Sequence, residues 1–164
     1  MKKILLLIIC LFFVSCSTKN NTQEALKNEF LAYTTKFEFI ENDQRYLAIL
    51  SYLNPVFAEF RNKNEDETLV LISYPKEIEL DAQTFSINSQ NSDIFVQKLD
   101  ENDPFLDKLT FKVPWANYYK ITSSKVVDDL IALAYKTPSG FEVKFTIRKN
   151  PKSLYWNPKL KLDD

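Results

Sequence analysis

The chain reads as a mainly β protein, an antiparallel, immunoglobulin-like β-sandwich with a short N-terminal helix. Three observations predict this. Eight or nine short apolar segments are separated by turn signals at intervals of roughly 8–12 residues. Strands do not alternate with long helical segments, which argues against a parallel βαβ sheet. The 164 residues include 13 Phe, 8 Tyr and 2 Trp, side chains that each bury a large area in a core.

The helix is predicted from Thr22 to about Tyr33. Thr22 can cap it, Gln23 and Glu24 suit its first turn, and Leu26, Phe30, Tyr33 and Phe37 share one face. That face is expected to pack on the domain itself. Strands follow at Lys36–Glu41 and Arg45–Leu53, a hairpin about Asn42-Asp43. The second strand is apolar on both faces, as a central strand covered on both sides would be. Asn54-Pro55 ends it. Phe57 and Phe60 come next, then a polar loop at Arg61–Glu67. Thr68–Tyr74 is a short apolar strand stopped by Pro75. Glu77–Leu80 and Thr84–Ile87 are expected as edge strands, and Ile94–Leu99 as another strand. Leu109, Phe111 and Val113 alternate with Thr110 and Lys112, the pattern of a half-buried strand. Tyr118–Ser123 follows.

The last hairpin is the clearest element. Phe141, Val143, Phe145 and Ile147 alternate with Glu142, Lys144, Thr146 and Arg148. Thr137-Pro138-Ser139-Gly140 forms its turn, with proline suited to a type I turn and the glycine to a left-handed G1-bulge position. The incoming strand is Leu130–Lys136. Lys125–Ala134 also fits helical spacing, but the hairpin turn that follows at once favours a strand. Asn150–Asp164 is a C-terminal tail, expected to lie against the sandwich because it carries Tyr155 and Trp156.

The N-terminus has a different character. Lys2 and Lys3 precede an unbroken apolar run, Ile4–Val14, then Ser15 and Cys16. The run is 11 residues, whereas a spanning helix needs about 20. Residues 1–15 therefore read as a signal peptide. Phe13-Val14-Ser15-Cys16 resembles the lipobox of bacterial lipoproteins, with Phe13 standing where that class most often has Leu. The resemblance implies that Cys16 is alkylated by diacylglycerol, that the peptide is cut before it, and that the new amine is acylated. Several acyl chains hold a protein stably on a bilayer. Ser17 stands where an Asp would imply inner-membrane retention, so the resemblance implies the outer membrane, facing the periplasm, with cell-surface exposure left open. Residues 16–22 are the lipidated cysteine and a polar tether, and residues 23–164 a single sandwich domain with its tail.

Without residues 1–15 the chain has 149 residues, enough for one domain with a proper core. Loss of Lys2 and Lys3 leaves 19 basic against 22 acidic residues, a balance of −3. That argues against nucleic acid as a partner. The two cysteines are Cys10, within the signal, and Cys16, so the mature domain is expected to lack a disulfide. There is no histidine, which excludes His-based triads and the commonest transition-metal ligand. A single glycine, Gly140, excludes glycine-rich phosphate loops.

Five sets of residues are candidates for chemistry. Asp100-Glu101-Asn102-Asp103 offers hard oxygens for calcium but lacks the spaced acids and the glycine of a calcium loop. Glu65-Asp66-Glu67 and Asp128-Asp129 are further acidic clusters. Paired carboxylates could serve a glycosidase, yet nothing selects one pair among 22 acids. Ser123, Ser124 and Lys125 formally allow a Ser–Lys dyad. The aromatics Trp115, Tyr118, Tyr119, Tyr155 and Trp156 could grip a protein or stack on sugar where exposed, and are core where buried. Alternation sets Tyr118 and Tyr119 on opposite faces. The expectation is a non-enzymatic envelope lipoprotein without cofactor or metal. It would be held to the membrane through Cys16 and bind an envelope protein; a glycan- or lipid-binding lipoprotein is the alternative.

Overall fold

The computed structural model describes residues 21–41, 44–61 and 66–150. The signal segment, Cys16, the Asn42-Asp43 turn, Glu65 and the tail with Tyr155 and Trp156 lie outside the described residues. Helix α1 (Asn21–Ala32) leads into strands β1 (Thr34–Glu41) and β2 (Gln44–Tyr52). A short helix α2 (Ala58–Arg61) precedes β3 (Glu67–Tyr74). Then come β4 (Ser86–Ile87), β5 (Ile94–Leu99), β6 (Asn117–Ser123), β7 (Leu130–Lys136) and β8 (Glu142–Arg148). All pairs are antiparallel, in one sheet of order β1-β2-β3-β6-β5 and a second of order β4-β7-β8.

The two sheets pack face to face. Tyr46, Ala48, Leu50 and Tyr52 of β2, Leu69 and Leu71 of β3, and Tyr119 and Ile121 of β6 meet Ile131, Leu133 and Tyr135 of β7 and Val143, Phe145 and Ile147 of β8. The other face of the five-stranded sheet is also covered. Val70, Ile72 and Tyr118 lie there under Phe30 of α1, Val56, Leu106 and Leu109. Double coverage explains why β3 is buried almost throughout and why its sequence is apolar at successive positions. Along one side the sheets close through aromatic contacts, Phe37 of β1 against Phe145 of β8 at 6.3 Å and Phe39 stacked at 4.5 Å on Phe141, just before β8.

Helix α1 contributes mainly its last turn. Residues 23–29 are all exposed, and Phe30 is buried edge-on to Phe57 and Phe111. Thr34 ends the helix by donating its hydroxyl to the Phe30 carbonyl at 2.8 Å. The helix starts at Asn21, two residues inside the segment read from sequence as tether. Its apolar face is narrower than its spacing suggests, since Leu26 remains at the surface.

Three stretches differ from the sequence reading. Glu67 is the first residue of β3 and not the end of a loop. Residues 77–85 hold no strand: Asp81 caps a 3-10 turn at Ala82–Thr84, and side chains take up the neighbouring backbone groups. Asn117 Nδ2 donates to the carbonyls of Lys76 and Ile78, and the Leu80 N–H donates to the Tyr119 hydroxyl. Residues 109–113 pair with no strand: Leu109, Phe111 and Val113 pack across the outer face of the five-stranded sheet, and Thr110 is as half-buried as Phe111. The Tyr118 hydroxyl instead accepts from the Val113 N–H at 2.7 Å and donates to its carbonyl at 3.1 Å. The ambiguous segment before the last hairpin resolves as strand β7. Its turn has Gly140 at φ 83°, with the Gly140 N–H bonded to Thr137 O at 2.8 Å.

β4 is too short to cover β7, and two side chains complete the job. Asn88 Oδ1 accepts from the Ala132 N–H at 2.7 Å, its Nδ2 donates to the Leu130 carbonyl, and its own N–H donates to Ala132 O. Thr84 Oγ1 accepts from the Lys136 N–H at 3.3 Å while its hydroxyl donates to the Asp81 carbonyl at 2.7 Å. An edge treated in this way is closed to a further strand. Asn88→Ala should cost about 1–2 kcal/mol in urea unfolding and raise self-association in sedimentation velocity.

Hydroxyls also cross the core. The Tyr46 hydroxyl lies 2.8 Å from that of Tyr135 and 3.1 Å from Ser73 Oγ. Burial raises the pKa of both phenols, and of Tyr52 and Tyr119, above the ordinary value of 10.0. A raised folded-state pKa gives stability that is full below pH 10 and lost as pH rises beyond it toward the folded values. Alkaline titration followed at 295 nm should therefore show these four phenols ionising only in step with loss of the near-ultraviolet circular dichroism.

Candidate functional site

Register defines two ends of the sandwich. Glu67, Ser123 and Ile94 lie level at one end; Ser73 and Asn117 lie level at the other. The first end carries the C-terminal turn of α1, the loops after β2 and β6, and the end of β8. A cleft of about 530 Å³ opens there. Glu29 and Tyr33 form one wall, Asn54 and Pro55 another, Lys125, Lys149 and Asn150 the third, with Tyr52 and Glu67 at the base.

The base is an ion pair that joins the two sheets. Glu67 begins β3, and Lys149 follows β8. Their side chains are 4% and 18% exposed, unlike the other ion pairs described, each of which has at least one partner more than 40% exposed. Glu67 Oε1 accepts from Lys149 Nζ and from the Val126 N–H, while Oε2 accepts from the Tyr52 hydroxyl at 2.6 Å. Lys149 Nζ also donates to the Val126 carbonyl, and its backbone N–H to Asp129 O. Burial first, then the bond to the Glu67 carboxylate and its charge, hold the Tyr52 phenol well above the ordinary tyrosine range.

The remaining walls are set by side-chain-to-backbone bonds. Asn54 Oδ1 accepts from the Thr68 N–H at 2.8 Å, and its Nδ2 donates to Asp66 O at 2.6 Å, which fixes the loop between β2 and β3. Asn150 Nδ2 donates to Asp129 Oδ1 at 3.0 Å. Tyr33 stands edge-on to Tyr52 with ring centroids 6.3 Å apart. A smaller recess of about 290 Å³ adjoins through Lys125 and includes Ser123, Ser124 and Asp128.

The residues singled out from sequence are dispersed. Trp115 is 77% exposed at the opposite end, in a turn with φ +54°. Tyr118 and Tyr119 are buried on opposite faces of the five-stranded sheet, each bonding backbone through its hydroxyl. Cys16, Tyr155 and Trp156 lie outside the described residues. Glu101 pairs with Lys76, and Asp103 caps the 3-10 helix at Pro104–Lys108. Among the described residues no group of three or more acids or cysteines is placed to hold a metal ion. Ser123 Oγ donates to the Ser124 carbonyl at 3.2 Å.

Sequence reasoning missed Glu67 and Lys149 as a pair, although their positions carried a signal. Glu67 shares its face with Leu69 and Leu71, and Lys149 continues the inward series Val143, Phe145, Ile147. A charge in phase with a core stripe at the end of a strand marks a rim position. No protein-family model matches the chain, and neither a curated protein nor a solved structure matches it. Among the described residues no helix is long and apolar enough to cross a membrane.

Removing one partner of a buried pair strands the other charge. Lys149→Met should lower unfolding free energy by about 3 kcal/mol, and the double change Glu67→Gln with Lys149→Met should recover part of that loss in a urea-melt cycle.

Proposed function

We propose that the chain is a lipid-anchored lipoprotein of the bacterial outer membrane, facing the periplasm, that acts by binding an envelope protein and not by catalysis. The observation that carries this reading is the order basic, apolar, small, cysteine ending in Phe13-Val14-Ser15-Cys16, with α1 starting five residues after the cysteine. Residues 23–29 are exposed around the whole helix. Such a helix suits a stalk, about 18 Å long over its 12 residues, between the acylated cysteine and the domain. The immunoglobulin-like description of the fold has the support of two antiparallel sheets of five and three strands packed on one core.

Partner binding falls to the end away from the anchor. Trp115 is offered there on a turn held by the two Tyr118–Val113 bonds. An exposed tryptophan on a turn held in this way is a favourable anchor for a protein interface, since the backbone that carries it needs little ordering on binding. A non-catalytic role has the support that Glu67 and Lys149, the most buried charges of the cleft, neutralise each other.

Intact mass and membrane partitioning of the native protein beside Cys16→Ala test the anchor. The native protein should carry the added acyl mass and sediment with outer membranes, while the variant stays soluble. Two soluble, unmodified proteins would remove the lipoprotein reading. Photo-crosslinking from position 115 in the same cells should then capture an envelope protein.

A further inference from the structure

The edges of the two sheets are not treated alike. Asn88 closes β4, and β1 leans on the β8 hairpin through Phe37 and Phe39. β5 ends the five-stranded sheet on the other side, and no strand covers it among the described residues. We propose that β5 takes up an extended, acidic segment of the partner protein as an added strand, a reading that rests on the adaptor role and names how the partner is held.

Register fixes which backbone groups are free. The Ser124 N–H donates to Asp93 O at 3.4 Å, and these two residues continue the register that sets Ile94 opposite Ser123. Bonded and non-bonded pairs alternate in an antiparallel ladder. Phe95, Gln97 and Leu99 therefore turn their backbone groups to β6, while Ile94, Val96 and Lys98 turn theirs outward. Among the described residues no loop backbone takes up these outward groups. Main-chain bonds of this kind supply the affinity in strand addition, and side chains supply the specificity. Phe95, 65% exposed, offers apolar contact beside the edge.

Charge and position select the occupant. The charged residues of β5 and β6 are Lys98 and Lys120, with no acid on either strand. Glu79 answers Lys98, whereas Lys120 rests on the Phe105 ring and has no carboxylate partner among the described residues. Lys120 lies opposite Gln97, so it shares the Phe95 face and stands one strand in from the edge. An acidic side chain on the added strand can reach it across Gln97. Leu99 lies opposite Tyr118, so the edge runs up beside the chain that leads from Trp115 into β6. The two features form one surface for one partner. A second copy fits less well. Symmetric pairing of β5 with β5 is antiparallel and would turn one stalk end, with its lipid, away from the membrane.

The test uses the full-length, ¹⁵N-labelled protein in detergent. In the free protein the amides of Ile94, Val96 and Lys98 should exchange with deuterium faster than those of Phe95 and Gln97. Equal protection of both sets at every protein concentration would show the edge covered by the chain itself. Protection that grows with protein concentration would show a second copy there. Either result overturns the proposal. The protein is then titrated with a blocked peptide, Thr-Val-Glu-Val-Thr-Val, with its counterpart carrying Lys for Glu, and with one carrying Pro for the central Val. The Glu peptide should shift and protect the outward amides, the Lys peptide should bind more weakly, and the Pro peptide should not bind. Val96→Pro removes an outward N–H and spares the β5–β6 ladder; it should weaken binding by about tenfold. Phe95→Glu, an exposed change, should weaken it as well by facing the peptide with a like charge. The proposal fails if the Glu peptide leaves these amides unmoved, if the Lys peptide binds as well, or if both variants bind as the native protein does. The titration needs no cellular partner. Peptide binding without a crosslink from position 115 would therefore count against the adaptor role alone, and a crosslink without peptide binding against strand addition alone.

Discussion

Burial of β3 on both faces is the constraint from which the architecture follows. Leu69 and Leu71 need one apolar cover, and Val70 and Ile72 another. The three-stranded sheet supplies the first. The second is assembled from unrelated pieces: one turn of α1, the short α2, and the irregular chain between β5 and β6. The chain between β5 and β6 pairs with no strand beside Val113, and the Tyr118 hydroxyl takes up both backbone groups of that residue. Tyr119 and Asn117, also on β6, do the same for residues 80 and 76–78 in the irregular chain after β3. A single strand thus organises both a sheet and the loops that wrap it.

Polar groups are placed differently at the centre and at the rim. In the centre, Tyr46, Tyr135 and Ser73 satisfy one another as neutral hydroxyls. At the rim a full charge pair is tolerated because Tyr52, Val126 and Lys149 surround one carboxylate. Surface pairs such as Lys112–Asp107 and Lys144–Glu142 contribute at most about 1 kcal/mol each in water and salt. Glu67–Lys149 joins elements from opposite sheets and so fixes how far they open at that end.

Strand positions were legible wherever burial alternates and a neighbour strand exists. The last hairpin is the clearest case, with Val143, Phe145 and Ile147 inward and a glycine in the turn. Leu109, Phe111 and Val113 show the limit: their spacing reports an apolar side, but they lie across the face of the five-stranded sheet and pair with none of its strands, which local sequence does not encode. The fragment Glu77–Leu80 failed for a related reason, since Asn117 and Tyr119, some forty residues away, hold its backbone. Of the candidate site, the aromatic series drew attention by residue type, whereas Glu67 and Lys149 were visible only through their phase with the core stripes. Phase needs the strand boundaries first, and Glu67 had been assigned to a loop.

Turn strain adds one more consequence. Gly140 is the chain's single glycine, yet Asn88, Ser89, Asp93 and Trp115 also adopt positive φ. Asn and Asp tolerate that region through local bonding. Ser89 and Trp115 lack this help, and such positions hold about 1–3 kcal/mol of strain each. The domain therefore carries a latent reserve of stability within reach of single substitutions to glycine. A lineage drawing on that reserve could absorb costly changes along β5 or around the distal turn, and so alter what the domain recognises without losing the fold.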